Sequence, residues 1–122
     1  MTIQLNHTIV HARDKRASAA FLATILGLEV GADFGRFVPV AVANGVTLDY
    51  MTATDPQPQH YAFLVDDEEF DASFARIQEQ GLDYYAEPSG DGRGEINTRW
   101  GGRGVYFDDP DGHAMEILTR AP

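Results

Sequence analysis

The chain has 122 residues, 43% of them hydrophobic, which is enough for one compact domain with a core and too few for two independent ones. Its net charge of −10, from 9 basic and 19 acidic residues, argues against nucleic acid and anionic membrane as partners, since both need a basic surface. The absence of cysteine excludes a disulfide scaffold, a zinc–thiolate site and a cysteine nucleophile, and without a membrane span or a basic, apolar leader the expected location is the cytoplasm.

In chain order, residues 3–11 alternate as a strand, with Ile3, Leu5, His7, Ile9 and His11 on one face. Asp14 is placed to cap a helix over Lys15–Leu26, an alanine-rich segment with Phe21, Leu22, Ile25 and Leu26 as its apolar stripe, and Gly27 ends it. Short strands are predicted over residues 28–30, 36–42 and 46–51, with Asn44-Gly45 as a hairpin turn. Asp55-Pro56-Gln57-Pro58-Gln59 reads as a linker.

The pattern then restarts. His60 opens a strand, and Asp66 or Asp67 caps a helix whose first turn holds Glu68 and Glu69, which suits the helix dipole. Phe70, Phe74 and Ile77 form its buried stripe and Gly81 closes it. Strands are predicted near residues 83–87, 95–100, 105–108 and 114–119, and the glycine-rich residues 88–94 read as a mobile loop near a pocket mouth. The turn Asp108-Asp109-Pro110-Asp111-Gly112 joins the last two strands and would leave His113 exposed. In the final strand Glu116 is a carboxylate among apolar neighbours, a placement that requires a partner or a metal.

The two halves are related. His7 precedes Asp14 by seven residues, as His60 precedes Asp67, and Phe21 and Phe74 each follow their histidine by fourteen. Gly45 precedes Asp49 by four residues, as Gly112 precedes Glu116. Such a repeat signals two similar units, each reading β-α-β-β-β. The fold class is therefore α+β: two tandem modules, about 1–54 and 60–122, in one domain, with their mixed sheets curled around a pocket and helices on the outer face. Across a pseudo-twofold, His7 would match His60 and Asp49 would match Glu116. Two imidazoles and one or two carboxylates suit a divalent transition metal: iron(II) or manganese with open positions, or zinc, nickel or cobalt with a fourth ligand.

The segments LNHTIVHARD with Leu26-Gly27-Leu28, HYAFLVDD, and YFDDPDGHAMEIL resemble the vicinal oxygen chelate superfamily, which includes glyoxalase I, bleomycin and fosfomycin resistance proteins and extradiol dioxygenases. The resemblance covers nearly the whole chain, and the last segment is its most characteristic part. It implies metal ligation by His7, His60 and Glu116. The fourth ligand of the glyoxalases would fall at Asp49, and the catalytic tyrosine of the dioxygenases at Tyr106, ten residues before Glu116. Alternation sends Asp49 toward the site, whereas a slip of one residue would send Leu48. For the catalytic histidine that the dioxygenases carry in the second module, no candidate lies between Gly81 and Gly112. Asn97, Thr98, Arg99 and Trp100 stand nearby instead.

Each residue also has a plainer reading. His7 alone would be a core or edge histidine, and Tyr106 a core aromatic. Arg99 and Trp100 would bind an anionic or planar ligand or lie on a rim. His11 shares a face with His7 but sits about 13 Å along the strand, so the two cannot share one ion; it is pocket lining or surface. The resemblance implies a metal-dependent enzyme for a small molecule that chelates through vicinal oxygens, dioxygenase-like in type and homodimeric, with Glu116 and Tyr106 as catalytic groups. The competing expectation is a non-catalytic antibiotic-binding or resistance protein using the same cleft.

Overall fold

The computed structural model describes residues 2–122, which fall into two compact units divided between Gln57 and Pro58. In the first, β1 (His7–Ala12) leads into α1 (Lys15–Leu26), followed by β2 (Val38–Ala41) and β3 (Thr47–Thr52). In the second, β4 (His60–Leu64) leads into α2 (Asp67–Glu79), then β5 (Tyr84–Tyr85), β6 (Gly104–Asp108) and β7 (Ala114–Leu118). The fold is α+β, with a three-stranded sheet ordered β1-β3-β2 and a four-stranded sheet ordered β4-β7-β6-β5.

Both helices begin where side-chain chemistry starts them. The Asp14 carboxylate accepts from the Ala17 N–H, and α1 ends at Gly27, whose φ of 69° carries the left-handed cap. Asp66, not Asp67, caps α2. Its side chain accepts from Glu69 N–H at 2.7 Å while the Glu69 carboxylate accepts from Asp66 N–H at 3.1 Å, a complete capping box.

In each unit the helix-adjacent sheet face holds the core. Val10, Ala12, Val38, Val40, Leu48 and Tyr50 are buried with Leu22 and Ile25 of α1. In the second unit Val105, Phe107, Met115 and Ile117 are buried, as are Phe70 and Ile77 of α2, and Phe74 packs edge-on against Tyr84 at 5.0 Å. Asn44 and Gly45 do turn the β2–β3 hairpin, with Gly45 at φ 81°.

Several predicted strands shrink, 83–87 to Tyr84–Tyr85 and 36–42 to Val38–Ala41 among them, and one segment changes character. The first strand starts at His7, not at residue 3. Residues 28–30 yield one bridge, Val30 to Val40, so the first unit is βαββ by regular strands. Residues 95–100 also yield one bridge, Asn97 to Gly104, before a 3-10 turn over Arg99–Gly101. Asn97 takes the space a side chain at Gly104 would fill, since a Cβ there would lie 2.9 Å from Asn97 Oδ1. Residues 88–94, read as a loop, form part of a hydrogen-bonded hairpin: Glu87 N–H donates to Asp91 O at 3.1 Å and Gly94 N–H to Tyr84 O at 2.9 Å.

His113 overturns its expectation. It is fully buried, and its Nδ1 accepts from Gln59 N–H at 2.9 Å. The turn closes around Asp109, whose Oδ1 accepts from both Asp111 and His113 N–H at 2.9 Å. Burial raises the Asp109 pKa above the usual carboxylate range, and those two backbone donors oppose the rise. A histidine in a polar turn is thus a structural pin between strand entry and turn.

Candidate functional site

Strand register places the sequence candidates. In the second unit the parallel pair β4–β7 sets Ala62 opposite Glu116, and the antiparallel pair β6–β7 sets Tyr106 opposite Glu116. Alternation puts His60, Tyr106 and Glu116 on the face away from α2. His60 Nε2 lies 2.9 Å from Glu116 Oε1, and the His60 and Tyr106 rings are 5.6 Å apart. Because a carboxylate only accepts, Nε2 carries the proton while the two side chains bond each other, and an ion between them would take that proton's place.

The first unit repeats that register. The parallel pair β1–β3 sets Ile9 opposite Asp49, two residues beyond His7, as Ala62 opposite Glu116 is two beyond His60. Asp49 therefore shares the face of His7, while Leu48 is buried on the α1 side. Here the histidine turns elsewhere: His7 Nδ1 lies 2.8 Å from Asn6 Oδ1. An amide oxygen only accepts, so Nδ1 carries the proton and Nε2 keeps its lone pair, the tautomer a metal ligand needs. Asp49 is 4% exposed, and its Oδ1 is buried without a hydrogen-bond partner. Both residues line a cavity of about 340 Å³ together with Asn6, Ile9, Phe34, Phe37 and Thr47.

These groups fit a divalent ion. The 2.9 Å between His60 Nε2 and Glu116 Oε1 is close to the separation of two adjacent ligands on one ion, about 3.0 Å for bonds of about 2.1 Å at a right angle. The donors are imidazole nitrogen and carboxylate oxygen, the set preferred by first-row transition metals. Neither unit by itself holds three or more such side chains grouped for an ion among the described residues.

Tyr106 is buried beside Glu116. Burial raises its pKa above the tyrosine value, and the charge of Glu116 and a hydrogen bond with it raise it further; Arg99 acts in the opposite direction. It is therefore a neutral hydroxyl at physiological pH. Arg99 is ion-paired with Glu87. Trp100 is 57% exposed and holds φ 61°, the one positive φ among described non-glycine residues. His11 is exposed on the His7 face, but the cavity is lined without it.

Other site residues carry no sequence signal. Tyr85 stacks on Tyr106 with ring centroids 5.6 Å apart and planes at 12°, and donates to Asp108 Oδ1 at 2.5 Å. Phe34 and Phe37, 5.4 Å apart, wall the first cavity. Both arrangements depend on pairings between segments that local patterning does not reveal.

Residues 4–117 match the sequence model of the Glyoxalase/Bleomycin resistance protein/Dioxygenase superfamily, and the chain belongs to that family. It is similar to the glutathione transferase FosA of Serratia marcescens, 26% identical over 96% of this chain and 81% of that protein. Among solved structures it is similar to the oxidase ChaP-H2, 59% identical with a TM-score of 0.97 over 99% of this chain and 96% of the other. It is likewise similar to the oxidase ChaP-H1, 59% identical with a TM-score of 0.96 over 98% of each chain.

Proposed function

We propose that this chain is a small metal-dependent enzyme of the dioxygenase type, acting on an organic substrate that presents two vicinal oxygens. The observation that carries this is the His60–Glu116 pair at 2.9 Å, with Tyr106 directly opposite Glu116 in the sheet. The 59% identity to two proteins named oxidases supports an oxidative reaction over the transferase chemistry named for FosA, at 26%.

The proposed metal ligands are His7, His60 and Glu116, with iron(II) or manganese as the ion. When bound, such an ion supplies Lewis acidity toward the substrate oxygens and, as iron(II), redox chemistry with dioxygen. The chain's own groups do the rest. Tyr106, kept protonated by burial and by Glu116, holds its proton at Oη, and this hydroxyl turns from Glu116 to a substrate oxygen when one is bound. Arg99, restrained by Glu87, orients the Tyr106 hydroxyl and offers positive charge to an anionic substrate. Trp100 presents a flat apolar surface at the same end of β6. The working form is a homodimer with one two-module domain per chain.

Metal analysis of the purified chain, followed by oxygen-uptake assays against a panel of vicinal diols and ketols, tests this reading. His60→Ala should lose bound metal and all uptake while retaining the wild-type circular dichroism spectrum. A wild-type protein without metal, or a His60→Ala variant with undiminished ligand affinity, would overturn it in favour of a sequestering protein.

A further inference from the structure

The site face of the second unit carries a row of rings that leads away from the candidate ligands. The His60 and Tyr106 rings lie 5.6 Å apart, and beyond Tyr106 stands Tyr85, stacked on it at 5.6 Å with the planes 12° apart. Register makes this stack, since Tyr85 is directly opposite Tyr106 in the β5–β6 pair. Tyr84, one residue earlier, takes the other face and packs edge-on against Phe74 of α2. Both stacked tyrosines are buried. Nearly parallel, offset rings at this separation place their π systems in contact.

The far end of the row has a proton acceptor. The Tyr85 hydroxyl donates to Asp108 Oδ1 at 2.5 Å, a short, charge-assisted bond, and Asp108 itself is exposed to water. The Arg93 guanidinium stands over the Tyr85 ring, its carbon 5.6 Å from the centroid. A cation there disfavours a second positive charge in the ring, so an electron leaves most readily when the hydroxyl proton leaves with it. Asp108 is in place to take that proton.

We infer that Tyr85 is a redox-active tyrosine, which gives an electron through Tyr106 to the proposed metal site and a proton to Asp108. The tyrosine, its stacked neighbour and its proton acceptor stand on geometry; the source of the oxidising equivalent rests on the proposed metal. That equivalent is the one left at bound iron by a peroxide when no substrate consumes it. One electron passes from Tyr85 across the Tyr106 ring, and the oxidised site is reduced by one. The Tyr85 O–H bond breaks, its proton binds Asp108 Oδ1, and a neutral tyrosyl radical and a protonated carboxyl group remain. Exposed Asp108 then releases the proton to water. The row thus carries oxidising power away from His60 and Glu116, the side chains nearest its origin.

The test loads the full chain with iron(II), verifies the iron content, and adds one equivalent of hydrogen peroxide without substrate. Rapid freezing and electron paramagnetic resonance should show an organic radical whose signal narrows in protein made with ring-deuterated tyrosine. Tyr85→Phe, which keeps the stacked ring, should lose the signal and increase oxidation of His60, read by mass spectrometry. Asp108→Asn keeps an acceptor for the hydrogen bond but cannot take the proton, and it should lose most of the signal; it carries the test if Tyr85→Phe does not fold. Tyr84→Phe should leave the signal intact. A radical on Trp100 or Tyr106 that survives Tyr85→Phe would overturn the inference, as would full yield in Asp108→Asn or an iron-loaded chain with no tyrosyl radical. A chain that binds no iron defeats the enzyme reading instead. The same variants are then oxidised metal-free with hexachloroiridate(IV), in a Trp100→Phe background that removes the exposed indole. A radical on Tyr85 that depends on Asp108 upholds the redox-active tyrosine there, and its absence overturns it.

Discussion

The two units set a histidine and a carboxylate on the same face at the same register, but only one closes the pair. In the second, His60 and Glu116 meet at 2.9 Å. In the first, His7 turns to Asn6 and Asp49 faces a cavity with one oxygen unpartnered. A single methylene separates aspartate from glutamate, and at the same register Glu116 meets its histidine where Asp49 Oδ1 meets no partner. A repeat thus conserves the direction of a side chain through strand register, while reach is set residue by residue.

The largest effect should come from removing each carboxylate in turn. Glu116→Ala should lower metal affinity more than about 100-fold, whereas Asp49→Ala should change it less than about threefold. Metal content after dialysis at fixed free ion reads both, and parallel losses would erase the contrast between the units. A sharper version lengthens the first carboxylate. Asp49→Glu should let the side chain reach His7 and raise metal affinity at least about threefold, read by the same dialysis.

A pH experiment separates the tyrosines of the second unit from the first. Burial first, then the hydrogen bond to Asp108 and that residue's charge, raise the Tyr85 pKa far above the ordinary tyrosine value of 10.0; Arg93 lowers it and Tyr106 adds to the rise. Below pH of about 10 both folded and unfolded tyrosine are neutral, so the stabilisation is fully present. Above it the unfolded chain ionises first, and stability falls as pH climbs toward the folded value. Urea midpoints between about pH 9 and pH 11 should therefore drop, and Tyr85→Phe should flatten the drop. The smallest contrast lies in the caps. Asp66→Ala breaks a complete capping box and should cost about 1 kcal/mol, and Asp14→Ala, which breaks one bond, about 0.5 kcal/mol, both read from denaturant midpoints.

Much of this frame can be read from local chemistry. Asp14 and Gly27 bound the first helix because capping and left-handed termination are decided within one turn. The facing of Asp49 follows from alternation, since a slip would place Leu48 in the cavity. What failed to show was long-range. Residues 28–30 and 95–100 look like strands, but each finds one bridge partner, because pairing depends on a neighbour's length and register. His113 sits in a polar turn, and its burial involves partners far along the chain: Gln59, 54 residues away, donates to its ring and Tyr61 packs edge-on against it. The Tyr85–Tyr106 stack depends on the β5–β6 pairing in the same way, and the Phe34–Phe37 wall on a local bridge between those two residues. His60, Glu116 and Tyr106 were legible as candidates through motif resemblance; the contact between His60 and Glu116 comes from the fold.

The strained turn at Trp100 has a practical side. It is the chain's one tryptophan, it stands 57% exposed, and its left-handed backbone is a conformation that a bulky side chain leaves readily when its surroundings shift. The molecule therefore carries its own optical probe. Excitation near the red edge of indole absorption isolates one emitter, placed next to Arg99, whose guanidinium acts on Tyr106. Emission colour and quenching at that single position turn any rearrangement of the turn into a signal, with no label attached.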